Sequence, residues 1–118
     1  MKVKYKRKEV RQMHDEMNEI LKYINEHLSE KITLLEMAKH FGYSRTYFCK
    51  KFKKITDTSF RSFVRGYKLS LAADAISKGE KVIDVAFRHG YDTVGGFDKA
   101  FYREFGCYPK NYKENLDK

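Results

Sequence analysis

The chain has 118 residues, 42% of them hydrophobic, and a formal charge of +9. That length suits one compact domain or two small lobes sharing a helix, so any ligand-sensing module must lie elsewhere, and the charge favours nucleic acid or another acidic partner. No apolar run nears the roughly 18 residues needed to span a bilayer, and Cys49 and Cys107 have neither metal-site nor disulfide-framework spacing; no membrane role is expected, and a reduced, cytoplasmic setting is.

Residues 2–11 carry Lys2, Lys4, Lys6, Arg7, Lys8 and Arg11 against Glu9 alone. Such a run is too charged to bury, and two readings stay open: a solvated helix start, the commoner case, or a basic arm for DNA. From about Glu9 the stripe Met13, Met17, Ile20, Leu21, Ile24 and Leu28 predicts a packing helix. Thr33-Leu-Leu-Glu36 is a capping box that opens a second helix, which runs to Phe41 and stops at Gly42. Ser44 caps the next helix, anchored by Phe48, Phe52 and Ile55 at spacings of four and three. At about 100° per residue the face opposite Phe48 holds Thr46, Cys49, Lys50 and Lys53. The segment from Arg45 to Lys54 contains five basic residues and no acid, so this face is free to enter a groove.

Thr58 or Ser59 opens a long helix to about Lys78, with apolar residues from Phe60 to Ile76 on more than one side, and Gly79 ends it. Then the chain repeats itself. Met37-Ala-Lys-His-Phe-Gly-Tyr-Ser44 returns as Val85-Ala-Phe-Arg-His-Gly-Tyr-Asp92, and after a one-residue slip Tyr47-Phe-Cys-Lys-Lys-Phe52 returns as Gly96-Phe-Asp-Lys-Ala-Phe101. Each copy reads as helix, glycine turn and second helix, so two helix-turn-helix units are expected on either side of a connecting spine. In the second unit Thr93 is the expected N-cap of a helix to about Phe105, with Phe97, Ala100 and Phe101 inward and Gly95, Asp98, Lys99, Tyr102 and Arg103 on the opposite face. Gly95-Gly96 is unusual in a helix, since each glycine costs about 1 kcal/mol relative to alanine. Either that first turn is loose or backbone must come very close to something. Pro109 opens a short closing helix anchored by Tyr112.

Two such units in a basic chain point to double-stranded DNA. His14, His27, His40 and His89 share no ligand spacing, and His40 and His89 stand at equivalent positions before the two turns, so structural roles and no metal or cofactor are expected. Cys49 lies among cations near a helix start, a setting that suits a reactive thiol, but a small neutral residue in a groove is the simpler reading. No nucleophile, base and orienting acid come together, and no enzyme is expected.

From about Ile20 to Tyr112 these residues resemble the DNA-binding domain of the AraC/XylS family of bacterial transcription regulators. The resemblance includes the spine segment Phe63-Val-Arg-Gly-Tyr-Lys-Leu-Ser-Leu-Ala72 and the stretch Gly90-Tyr-Asp-Thr-Val-Gly-Gly-Phe-Asp-Lys-Ala-Phe-Tyr-Arg-Glu-Phe-Gly106 with Pro109 following, which is similar to the family's C-terminal signature. It implies an all-α fold of about seven helices: two helix-turn-helix subdomains, here 9–56 and 80–115, joined by a long central helix at 58–78. Both recognition helices would enter successive major grooves on one DNA face. Thr46, Cys49 and Lys50, with Val94, Gly95, Asp98 and Lys99, would then be the base-reading positions, and Arg45, Lys53, Lys54 and Arg103 candidates for phosphates. The resemblance also admits RNA polymerase as a partner. Two departures stand out: family members often carry larger side chains where this chain has Gly95 and Gly96, which weakens the expectation of direct reading there, and no effector or dimerisation segment accompanies the units. A stand-alone member, monomeric on DNA, is favoured over a piece of a longer regulator, because Met1 is followed at once by native-looking sequence. Motifs of this family also occur fused to DNA alkylation-repair methyltransferases, whose extra cysteine cluster this chain lacks. A sequence-tolerant, architectural DNA-binding protein is the alternative to a sequence-specific regulator.

Overall fold

The computed structural model describes residues 7–116, with side chains for 11–114, and among these residues every regular element is helical. There are seven: α1 Arg7–Glu26, α2 Leu34–Phe41, α3 Arg45–Thr56, α4 Phe60–Ser77, α5 Val82–Arg88, α6 Val94–Phe105 and α7 Pro109–Leu116. The question of a basic arm concerns residues 2–11, of which 2–6, and the side chains of 7–10, lie outside what is described.

Local chemistry sets the boundaries. Thr33 and Glu36 form the expected box: Glu36 N–H donates to Thr33 Oγ1 at 3.2 Å and Thr33 N–H to Glu36 Oε1 at 2.8 Å. Tyr23 donates its hydroxyl proton to Glu36 Oε2 at 2.7 Å, which ties α1 to the start of α2. The Thr33 amide, with Tyr23 after it, holds the Glu36 carboxyl below its ordinary pKa. Ser44, Ser59 and Thr93 each accept an amide proton three residues on, as N-caps. Gly42 and Gly106 close α2 and α6 in the left-handed region, and Asp57, at φ 58°, closes α3 the same way without a glycine.

The apolar residues form two cores. Ile20 and Ile24 of α1, Ile32, Met37, Ala38, Phe48, Phe52, Phe60 and Val64 make the first; Leu69, Ala72, Ala73, Ala75, Ile76, Val85, Ala86, Phe97 and Phe101 make the second. α4 supplies both, its first turns to one and the remainder to the other, as expected of the spine. α7 closes the second core, with Pro109 fully buried and the Tyr112 ring 5.2 Å from Phe101 and 5.4 Å from Phe105.

Three expectations need correction. Leu28, placed on the α1 stripe, lies past the end of that helix in the turn that follows. Ile55, expected to anchor α3, is 37% exposed, because it lies at the open edge of the groove between α3 and α1, beside Met13 and Lys51. The third concerns the histidines: His40 is exposed on α2 and bonds Glu19 at 3.2 Å, whereas His89 is buried after α5 with its ring Nδ1 2.7 Å from the Val85 carbonyl. The residue matching His89 is Phe41, since each directly precedes its turn glycine. The one-residue slip in the repeat is turn length: one residue separates Gly42 from cap Ser44, whereas Tyr91 and Asp92 separate Gly90 from cap Thr93.

Direct contact joins the two units. Gly90 has φ +93°, and a Cβ there would sit 3.2 Å from the Leu28 carbonyl oxygen and 3.4 Å from that of Ser29. Only glycine accepts both that backbone angle and that approach. Lys68 of α4 donates to the Glu30 carbonyl at 2.6 Å, and Asn25 Nδ2 to the Tyr67 hydroxyl at 2.8 Å, so the α1–α2 connection is fastened to the spine. The molecule extends 44 Å along its longest axis, against 30 and 20 Å across.

Candidate nucleic-acid interface

In the first unit, α2 and α3 meet at the Gly42 turn, and the inward rings Phe48 and Phe52 fix how α3 is rotated. Those rings pack edge to face on Phe60 at 5.6 and 5.3 Å between centroids. With that side buried, Arg45, Thr46, Cys49, Lys50, Lys53 and Lys54 are all exposed. Cys49 is a free thiol among them. The face is therefore cationic, with two small side chains between the long ones.

Lys51 does not join that exposed face. It turns back to α1, where its ammonium donates to Glu16 Oε1 at 2.7 Å and to the Tyr43 hydroxyl at 3.2 Å, while Tyr43 donates to Glu16 Oε2. Burial works against the Lys51 charge, but the Glu16 and Tyr43 bonds outweigh it and hold its pKa above the ordinary lysine value. The same Glu16 contact raises the Tyr43 phenol. This clamp bolts α3 to α1. A count of charges along Arg45–Lys54 does not find it, because the opposing acid is 35 residues away in sequence; the only sequence signal is that Lys51 sits on the Phe48 side of the helix.

In the second unit, Thr93 caps a regular first turn, its hydroxyl accepting from Gly96 N–H at 3.0 Å. Phe97 and Phe101 are fully buried beneath it and Ala100 is half-buried. Gly95, Gly96, Lys99, Tyr102 and Arg103 are exposed. Val94 and Asp98 are half-buried, lining a shallow groove with Val82, Tyr108, Pro109 and Lys110, so they lean toward the start of α7 and away from Gly95 and Lys99. Of the two readings of Gly95-Gly96, the loose turn is excluded by the intact cap. Among the described residues nothing beyond its own helix turn comes within 4 Å of a Cβ built on Gly95, whereas one on Gly96 would stand 3.1 Å from Thr93 Oγ1. Gly96 is thus shaped by its own cap; Gly95 is not required by any neighbour in the fold.

Each unit therefore offers one exposed helix face behind a glycine turn, rich in cations on α3 and nearly bare of side chains at the start of α6. Among the described residues no helix is long and apolar enough to cross a membrane, and no cluster of His, Cys, Asp or Glu is arranged to hold a metal ion.

Comparison with known proteins agrees with this architecture. A family described as a helix-turn-helix domain matches residues 37–115. The regulatory protein SoxS of Salmonella typhimurium is 30% identical over 98 residues, which cover 82% of this chain and 92% of that protein. Among solved structures, a DNA-binding transcriptional dual regulator from Escherichia coli K-12 superposes with a TM-score of 0.73 at 24% identity, over 83% of this chain and 88% of that one. The DNA-binding domain of AdpA, a global transcriptional factor solved in complex with a target DNA, gives 0.73 at 22% identity, over 84% and 90%. Two helix-turn-helix units on one spine, a family match across both, and a regulator alignable over nearly its whole length establish that the chain belongs to the AraC/XylS family of transcription regulators, not to an enzyme family.

Proposed function

We propose that this protein is a sequence-specific, double-stranded DNA-binding regulator that inserts α3 and α6 into successive major grooves on one face of the duplex, as a monomer acting in the cytoplasm. The observation that carries the reading is the α3 face, where Arg45, Lys50, Lys53 and Lys54 stand exposed around Thr46 and Cys49 on a helix whose other side is locked into a core. Lys50 suits guanine O6 and N7, and Thr46 a thymine methyl. Cys49 gives a close, neutral contact. Arg45, Lys53, Lys54 and, from α6, Arg103 take phosphates, which set register and orientation.

On α6 the candidate base-reading positions are Val94, Gly95, Asp98 and Lys99, of which Asp98 suits a cytosine amino group while Lys99 takes a phosphate, and the unit division 9–56, 58–78 and 80–115 separates the two recognition helices. A 44 Å long axis is enough to hold two helices about 34 Å apart, one turn of B-DNA. RNA polymerase is the further partner that this reading admits. The bare start of α6 favours one competing account, an architectural protein that binds with little sequence preference.

A competition titration separates the two. Sequences selected from a random duplex pool should bind at least about 10³-fold more tightly than bulk random duplex, as specific binders do. Their footprint should span about two helical turns. A preference of only a few-fold would establish the architectural account, and a footprint of half a turn would exclude engagement of both units.

A further inference from the structure

We propose a third DNA contact between the two recognition helices: a phosphate-backbone site in the cleft over α4, held by Arg61 and Arg65. It rests on the DNA-binding reading above and extends it to residues that neither helix-turn-helix unit contains.

The cleft, about 510 Å³, has α4 as its floor. Arg61, Arg65 and Lys68 stand at spacings of four and three, which places them on one face of that helix. One wall is the start of α2 with Lys31, together with Arg45 and Cys49 of α3; the other is the turn at Gly90 and Tyr91 that leads into α6. Because Arg45 and Cys49 belong both to this cleft and to the exposed face of α3, the cleft opens on the side where α3 meets its groove. A duplex engaged by both units must cross the interval that α4 spans.

Five cations line the cleft and no carboxylate does. Lys68 is committed to the Glu30 carbonyl, and burial lowers its pKa although the Glu30 charge acts the other way. Arg61 and Arg65 are exposed and, among the described residues, lie in no ion pair. The acids that act on lining residues are Glu30 on Lys68, Glu36, which bonds Thr33, and Glu104, which with Arg65 acts on Tyr91. Crowding like charges in a concave site disfavours the isolated protein and focuses a positive field that draws an anion. Guanidinium groups match phosphate oxygens two by two. A row of them four residues apart on a rigid helix fits consecutive phosphates of a strand passing from one major groove to the next.

The experiment compares the wild-type chain, R61A/R65A and R61K/R65K on the selected duplex, with and without methylphosphonate at the phosphates midway between the two half-sites. R61A/R65A should bind on the order of tenfold more weakly, with a log-log salt slope shallower by about 2, as two lost phosphate contacts require. Its ranking of single-base variants should not change. R61K/R65K should keep most of the slope, and the neutralised duplex should weaken the wild-type chain but not R61A/R65A. An unchanged slope in R61A/R65A, with no effect of methylphosphonate on the wild type, overturns the cleft site while leaving the two-helix reading intact. A wild-type chain without preference for any duplex over heparin overturns that reading and this site with it. If R61A/R65A loses its helical circular dichroism, the methylphosphonate arm decides with the wild-type protein alone.

Discussion

In the first unit the residue before the turn glycine is Phe41, a half-buried ring 6.0 Å from Phe48; in the second it is His89, buried and bonded to the helix it ends. The first unit is braced from outside by α1, through the Glu16–Tyr43–Lys51 clamp and the Tyr23–Glu36 bond, while the second is closed by α7 packing rings onto Phe101 and Phe105. The first presents long cationic side chains to solvent from its first turn on, whereas the second begins with bare Gly95 and Gly96 and brings Lys99 and Arg103 only further along. A repeat thus conserves what makes a glycine turn between two helices, namely a small residue, a glycine, a cap and two rings four apart, and leaves the outward face free to differ. Under the proposed function the difference amounts to a division of labour, with α3 reading and α6 placing.

The severest way to break that comparison is to remove a ring common to both units. Phe97 is fully buried and is the counterpart of Phe48. Phe97→Ala should cost about 3–5 kcal/mol. Because α4 feeds both cores, the loss should appear as one lowered transition in thermal denaturation followed by circular dichroism. Two separated transitions would mean that the units fold independently and that α4 does not couple them.

Gly95 gives a smaller and more selective test. Nothing in the fold needs a glycine there, so Gly95→Ala should stabilise the protein by about 0.5–1 kcal/mol through helix propensity and a less free unfolded chain. If α6 works by close backbone approach to DNA, the same methyl should weaken binding. Denaturant titration and binding isotherms on one sample should therefore move in opposite directions. Stability and affinity rising together would remove the reason for a bare α6.

The mildest expected effect belongs to His89. Burial pushes its pKa below the ordinary histidine value, opposed by the bond to the Val85 carbonyl and assisted by the neighbouring Arg88 charge; Glu80 and Lys68 act in opposite senses. A depressed pKa in the folded state means that the unfolded chain takes up the proton first as pH falls. The stabilisation is complete above about pH 6.5, the unfolded value. It is lost progressively as pH drops from there through the folded value. Glu36, also depressed, acts in a lower window, below 4.5. His89→Phe, which copies Phe41, should flatten the melting temperature between pH 7 and 5 and leave the more acid limb. Val85 keeps an amide donor from residue 89 at 3.1 Å, so its carbonyl is not orphaned. Parallel pH profiles for the two proteins would assign that slope elsewhere.

Much of this was legible in the sequence because it is local. Thr33-Leu-Leu-Glu36, Ser44, Thr93, Gly42 and Pro109 act within a few residues, and all do what their chemistry predicts. The outward faces of α3 and α6 followed from helical period once Phe48 and Phe97 were taken as inward. What escaped is long-range: the Glu16–Lys51 pair, the approach of Gly90 to Leu28 and Ser29, and the cleft that gathers Arg61 and Arg65 with residues of α2 and α3. No spacing rule joins groups that far apart in sequence. The match of His89 to Phe41 escaped for another reason: residue type pairs His89 with His40, whereas position before the turn glycine assigns the role. Val94 and Asp98 lean toward α7, which helical period alone did not anticipate.

The central claim, that α3 reads bases and α6 mainly places the protein, is tested most directly by profiling Lys50→Ala and Lys99→Ala across every single-base variant of the selected site. Lys50→Ala should flatten discrimination in one half-site, where a well-made base contact contributes about 1–3 kcal/mol. Lys99→Ala should weaken all sequences nearly equally, as loss of a phosphate contact does. The reverse pattern, with Lys50→Ala uniform and Lys99→Ala flattening its own half-site, would contradict the account.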